Sequence, residues 1–157
     1  MFKKIFIGAI SFSVFLPVIS EEVEEIVVTA LKRSSTVVDT PAAITAISST
    51  EIEDKGITNM HDLKHLVPSM NFTNVLGAQN ITIRGIGQFN GNPGVSVSTD
   101  GIFQSRAHSS QLGEMDLERV EVLRGPQGTL YGRNSIGGVV NLITKNPSQE
   151  TDGYVKL

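Results

Sequence analysis

The stretch Val120-Glu-Val-Leu-Arg-Gly-Pro-Gln-Gly-Thr-Leu-Tyr-Gly-Arg-Asn-Ser-Ile-Gly-Gly-Val-Val-Asn-Leu-Ile-Thr144 decides how this chain folds. Val120 to Leu123 has the composition of a strand. Gly125 to Gly138 is irregular and rich in glycine, and Val139 to Thr144 is a second strand that Lys145-Asn-Pro147 brings to an end. Glycine tolerates positive φ and lets two backbones approach closely. The connection therefore reads as a shaped, closely packed segment between two strands.

Outward from this stretch the same character continues. Of the 15 glycines, 12 fall between Gly77 and Gly138, far above the roughly 7% of an average protein. Short strands are expected at Ile81 to Arg84 and Val95 to Thr99, with Asp100-Gly101 as a tight turn. Further upstream, Pro41 to Ile47 reads as a strand. Thr50-Glu-Ile-Glu53 has the form of a capping box, in which hydroxyl and carboxylate each satisfy a free amide, and Gly56 would end that helix. A second helix is expected over Asn59 to Val67, with Leu63, Leu66 and Val67 on one face and Pro68 as its stop. Helices and strands do not alternate regularly, so the fold class expected is α+β: a small mixed β-sheet with short helices and glycine-rich loops.

The chain has 157 residues. Its start reads as a secretory leader: Lys3 and Lys4, the apolar run Ile5 to Leu16, then a small-residue exit with cleavage expected after Ser20. The run is shorter than the roughly 20 residues that span a bilayer. Without the leader, 11 basic residues face 16 acidic ones, a net of −5. That balance argues against nucleic acid as a partner. There is no cysteine, so the fold cannot lean on disulfides although export permits them. Four of the seven phenylalanines lie in the leader, and tryptophan is absent. The remaining aromatics cannot supply the two girdles of a membrane barrel.

Several chemical motifs are approached and fail. Gly85-x-Gly87 follows a strand, but Asn90 stands where a dinucleotide loop needs its third glycine, and no helix begins there. Gly125 to Asn134 lacks the Gly-Lys-Ser/Thr ending of a phosphate loop. His61 and His65 are four apart on a helix, yet no third metal ligand has suitable spacing. There is no nucleophile elbow. No catalytic residue, metal or cofactor is expected.

Glu25-Ile-Val-Val-Thr-Ala30 is a β-branched run ahead of the polar stretch Leu31 to Thr40. From these residues alone two readings stand: the first strand of the domain, or a tethered strand that adds to a partner's sheet.

Taken in order, the run Glu25 to Ala30, Ile83-Arg-Gly85, Val95-x-Val97 with Asp100-Gly101, and the closing stretch Val120 to Thr144 resemble the plug domain of TonB-dependent outer-membrane receptors. Ser98-Thr99 departs from the pattern, where a bulkier residue is expected. The resemblance covers Glu25 to Pro147. It implies a leader at 1–20, a TonB-box segment and linker at 21–40, a plug at 41–147 and the start of a first barrel strand at 148–157. The segment 21–40 is expected to extend away from the domain.

What the resemblance implies about sites follows the same motifs. Glu25, Ile26, Val27, Val28, Thr29 and Ala30 would form the TonB box, gripped by a TonB-type inner-membrane energy transducer. Arg84, Glu121 and Arg124 would pair with the barrel wall and, without a barrel, face water. Gln88, Phe89, Asn90 and Asn92, with Phe103, Gln104, Arg106 and His108, would contact the ligand from loops, whereas the closing stretch would not. The function implied is the gate of an active uptake pore in the outer membrane, for a scarce nutrient such as an iron–siderophore complex; vitamin B12, haem and sugars stay open. A barrel of about 22 strands needs many more residues than the ten that follow Pro147. The barrel is therefore expected to be missing, and this chain alone to be exported to the periplasm. Two alternatives are a stand-alone periplasmic plug-like binding or signalling module, and a truncated chain without independent transport.

Overall fold

The computed structural model describes residues 26–32, 34–37, 40–75, 78–88, 92–104 and 116–147. The leader, the last ten residues, Glu25, Phe89, Asn90, Arg106 and His108 lie outside them. At the centre is a five-stranded mixed sheet in the order β3-β8-β9-β6-β7. Its strands are β3 (Ile44–Ser48), β6 (Val95–Thr99), β7 (Ile102–Gln104), β8 (Leu117–Arg124) and β9 (Gly138–Thr144). Only β6 and β9 run parallel; β3, β7 and β8 join antiparallel. A two-stranded piece, β1 (Val27–Val28) with β2 (Ser35–Thr36), and a hairpin, β4 (Met70–Val75) with β5 (Ala78–Ile83), complete the strands described. The α+β expectation holds, and the sheet is open rather than closed into a barrel.

Alternation divides the sheet into two faces. Ile47, Val97, Val120, Val122, Val140 and Leu142 point into the main core. Above them lie Ile52 of helix α1 (Ser49–Asp54), Met60 and Leu63 of a 3₁₀ segment (Met60–His65), and Phe72, Ile81 and Ile83 of the hairpin. The opposite face carries Ile44, Leu123 and Val139, covered by Val28 and Ala30.

Several expected elements are displaced. β3 begins at Ile44 rather than Pro41 and runs straight into α1. The helix is capped by Ser48, whose Oγ accepts from the Glu51 amide at 3.2 Å. Thr50 and Glu53 therefore lie inside the helix and do not form its cap. Gly56, at φ +60, follows the helix end as expected. The second helix is a tighter 3₁₀ segment, where the Asp62 carboxylate accepts from the Thr58 and Asn59 amides, each at 3.2 Å. Asp100 and Gly101 both take positive φ, the requirement of the tight turn that joins β6 to β7. The connection from β8 to β9 contains a helical turn, α2 (Gly128–Tyr131).

The glycines explain how the sheet end is built. A Cβ on Gly94 would lie 2.1 Å from the Gly87 carbonyl oxygen, and one on Gly138 would lie 2.4 Å from that of Leu123. Gly137 donates to the Gly94 carbonyl at 2.8 Å, and Gly125 to the Gly137 carbonyl at 2.9 Å. Backbones cross here at distances only glycine allows. Gly138→Ala is expected to destabilise the chain by about 1–3 kcal/mol, because the nearest atom is the Leu123 backbone carbonyl, which cannot yield, with the buried Ile83 side chain beside it. At Gly128 an added Cβ meets nothing within 4 Å, so Gly128→Ala should stay within about 0.5 kcal/mol of the parent or improve on it. Urea unfolding of both variants is the check, and equal losses would contradict the close-approach account.

Candidate functional site: a buried carboxylate beneath the N-terminal segment

β8 is the strand that organises the second face. Period two places Arg119, Glu121 and Leu123 on that face and Val120 and Val122 on the other. Glu121 is fully buried. An ionised carboxylate out of water needs a countercharge and donors, and it has both. Arg119 Nε donates to Glu121 Oε1 at 2.8 Å, and the Thr29 amide donates to the same oxygen at 2.9 Å. Asn141 Nδ2 lies 3.5 Å from Oε2, and Asn141 Oδ1 accepts from Ser98 Oγ at 2.8 Å. The register places Glu121 opposite Asn141, and Asn141 opposite Ser98. A polar row therefore crosses three central strands. Arg119 also pairs with the exposed carboxylate of Glu118 and donates through Nη2 to Thr29 Oγ1 at 3.2 Å.

The N-terminal segment closes over this row. Val28 and Ala30 are fully buried, whereas Val27 is half exposed. Tyr131, on α2, donates its hydroxyl to the Ala30 carbonyl at 2.7 Å. Lys32 then turns the chain at φ +59, with its ammonium 4.8 Å above the Tyr131 ring. The expectation that 21–40 extends away from the domain is thus corrected for its described residues. Two apolar side chains gain a hydrophobic seat, and two backbone groups gain partners, one on β8 and one on α2.

A second correction concerns Glu121. It does not face water, and three residues along a strand put it on the opposite side from Arg124. Arg84 reaches the end of β8, beside the residue that follows Arg124. Arg84 Nη1 lies 3.6 Å from where a Gly125 Cβ would stand. Arg84 is exposed at φ +53, and Arg124 Nε is buried without a hydrogen-bond partner.

The residues expected to meet a ligand are partly described. Gln88 and Asn92 are exposed beside the start of β6, and the Gln88 amide donates to Asn80 Oδ1 at 2.9 Å. Phe103 and Gln104 belong to edge strand β7 and not to a loop, because the Asp100-Gly101 turn brings them back alongside β6. Strand direction leads both stretches to the end of the sheet where Gly125 to Gly137 lies. The sequence reading missed two contributors. Arg119 could have been found from its two-residue spacing to Glu121 in a strand. Tyr131 carried no comparable signal, because only the fold brings it to Ala30.

Burial, and then the nearby Glu121 charge, push the Tyr131 phenol from 10.0 up to about 12. The folded chain thus holds this proton more tightly than the unfolded chain. The associated stability is fully present below pH 10 and is lost as pH rises through about 12. Tyrosinate absorbance of the parent minus that of Tyr131→Phe should rise with a midpoint near 12. A midpoint at the ordinary phenol value would show that the ring does not sit over the segment.

Comparison with known proteins agrees with this architecture. Residues 36–139 match the family model described as TonB-dependent Receptor Plug Domain. The pesticin receptor of Yersinia pestis is 35% identical over 136 residues, covering 83% of this chain and 20% of that protein. The ferrioxamine B receptor of Salmonella typhimurium is 32% identical over 136 residues, 82% of this chain and 19% of the relative. Among solved structures, the ferric yersiniabactin uptake receptor of Yersinia pestis superposes with a TM-score of 0.62 at 33% identity, over 69% of this chain and 18% of that one. The ferripyoverdine receptor of Pseudomonas aeruginosa, bound to ferripyoverdine, gives 0.64 at 26% identity, over 79% and 17%. The chain spans about a fifth of the length of the curated relatives it matches. With a family model over most of its length and an open mixed sheet of the same fold, the chain belongs to the plug-domain family of TonB-dependent receptors.

Proposed function

We propose that this chain is the gate of an outer-membrane receptor that takes up an iron–siderophore complex or a similar scarce nutrient. It acts as a transport element and not as an enzyme. Seated in the receptor's barrel, it blocks the pore. A TonB-type transducer of the inner membrane engages residues 25–30 and, drawing on inner-membrane energy, moves or unfolds part of the plug. The finished receptor resides in the outer membrane, and the leader at 1–20 exports the chain to the periplasm on the way. Cargo contacts come from Gln88 to Pro93 and Phe103 to His108, together with the barrel.

The observation that carries this reading is Arg124, whose Nε is buried with no hydrogen-bond partner among the described residues. The Arg84 guanidinium lies near Gly125, the next residue, and neither arginine has a carboxylate partner among the described residues. A buried guanidinium nitrogen without an acceptor is costly. A surface outside the described residues that presents carboxylates would satisfy both groups. A barrel wall with acidic side chains fits that requirement, and the seat it makes would be specific in orientation.

The test concerns the segment the transducer engages. Strand addition relies on backbone donors and acceptors, with side chains secondary. Val27→Pro removes a donor and fixes φ; Val27→Ala leaves the backbone intact at a half-exposed position. Binding of the transducer's soluble C-terminal domain, measured by calorimetry, should weaken about tenfold or more for Val27→Pro and change little for Val27→Ala. Equal binding by both variants would rule out strand addition.

A further inference from the structure

β6 reads Val95-Ser-Val-Ser-Thr99, with serine at 98 where the plug pattern asks for a bulkier residue. Period two puts Val95 and Val97 in the main core and Ser96 and Ser98 on the polar face. Both serines are buried, yet only one is satisfied. Ser98 Oγ donates to Asn141 Oδ1 at 2.8 Å. Ser96 Oγ has no hydrogen-bond partner among the described residues. The observed register sets Val97 against Val140 and Ser98 against Asn141. If β6 moved two residues forward along β9, every side chain would keep its face. Val95 would meet Val140, and Ser96 would meet Asn141 in place of Ser98. The opposite shift would bring the Asp100 carboxylate against Asn141 and bury its charge. The strand pattern by itself thus leaves two registers open. The sheet does not choose between them either, because β6 and β7 form a hairpin at its edge, joined to the rest of the sheet through β9.

We infer that Asp100 is a register pin: its grip on Thr144 selects one of these two registers, and so sets the level at which Asn92, Phe103 and Gln104 stand relative to the closing stretch. Asp100 Oδ1 accepts from the Thr144 amide at 3.0 Å, and Oδ2 accepts from Thr144 Oγ1 at 2.8 Å. The Asp100 amide donates to the Leu142 carbonyl at 2.9 Å, which carries the parallel pairing one step past β6. Both carboxylate oxygens are therefore spent on a single residue of β9's end. Shifted by two, Asp100 would leave Thr144, while Ser96 would replace Ser98 at Asn141 without loss. The grip is thus the bonded difference between the registers. The displacement it prevents is about 6.6 Å, two residues of a parallel strand. Asn92 precedes β6 directly, and Phe103 and Gln104 are paired to it, so all three would travel with the strand. The pin rests on geometry alone; that this level matters to cargo rests on the functional reading above.

The chain has no cysteine, so a pair of spin labels can be placed on the full chain through two substitutions. Gly128→Cys lies on the connection before β9, where an added Cβ meets nothing within 4 Å, and Ile102→Cys lies at the exposed start of β7. The forward shift lengthens the distance between them, which double electron–electron resonance reads. The labelled parent and its Asp100→Asn form should show one distance, because asparagine tolerates the positive φ and keeps an oxygen for the Thr144 amide. Asp100→Gly with Ser98→Ala keeps the turn but removes both native links, and leaves Ser96 for Asn141. It should gain a second, longer distance, the ratio of registers moving about tenfold for each hydrogen bond lost. Asp100→Gly with Ser96→Ala should return to the parent distance, since only the native register still satisfies Asn141. A loosened turn would not be restored by deleting a hydroxyl elsewhere on β6. The parent distance alone in both double variants would overturn the pin and give the choice of register to the close approach at Gly94. A second distance in both would overturn the part assigned to Ser96 and Ser98. Circular dichroism checks folding, and if the Ser98→Ala double variant failed to fold, one or two distances in Asp100→Gly alone would decide the pin in the same way. None of these outcomes involves cargo or transducer, so failure of the transport reading would leave them unchanged.

Discussion

A carboxylate with no exposure, on the central region of a five-stranded sheet, sets the terms for half of this molecule. Moving an ion of that kind out of water costs several kcal/mol even after relaxation, so Glu121 can stand there only with its partners in place. Arg119 supplies the countercharge from the same strand. Thr29 supplies a backbone donor from 92 positions away in sequence. Asn141 and Ser98 continue the polar row across β9 and β6. The second face of the sheet is therefore polar in its middle and apolar at its edge, where Leu123, Val139 and Ile44 meet Val28 and Ala30. The N-terminal segment fits this face because it brings both a free amide and small apolar side chains.

The other face is an ordinary core, and the contrast is informative. Ile47, Val120, Val122, Val140 and Leu142 are covered by α1, the 3₁₀ segment and the β4–β5 hairpin, with no ionised group among them. Stability in this family member resides on that side, in area removed from water. The polar row and the contacts of the N-terminal segment lie on the other side. At the glycine-rich end, Gly87, Gly94, Gly137 and Gly138 let loops pass within backbone contact, so the connection between β8 and β9 is a packed structure and not a slack loop.

Two features of this scaffold stand outside its apolar core. One is Arg124, whose buried Nε lacks an acceptor among the described residues. The other is the segment Val27 to Ala30, held against the polar face by the Thr29 amide on Glu121 and the Ala30 carbonyl on Tyr131.

Much of the sheet was legible from local pattern. The ends of β6, β8 and β9 follow from alternating apolar residues, and the Asp100-Gly101 turn from two residues that accept positive φ. Gly56 marked the end of α1 for the same reason. The cap was misread because Ser48 and Thr50 carry the same hydroxyl, and only the end of β3 decides which one lies at the cap position. The β4–β5 hairpin escaped because Asn71, Thr73 and Asn80 give little apolar alternation; its strand character comes from pairing and from Phe72 and Ile81 reaching the core. Glu121 and Arg124 could be separated by period two alone, as could the kinship of Arg119 with Glu121. The parallel pairing of β6 with β9, the seat of Thr29 on Glu121 and the reach of Tyr131 to Ala30 could not. Sequence by itself determined the elements, the family and the residue types available for recognition, because those depend on local propensity and order along the chain. Tertiary structure alone decided which charges are buried, which amides are taken and whether the N-terminal segment is docked, because those depend on contacts between residues roughly 90 or more apart.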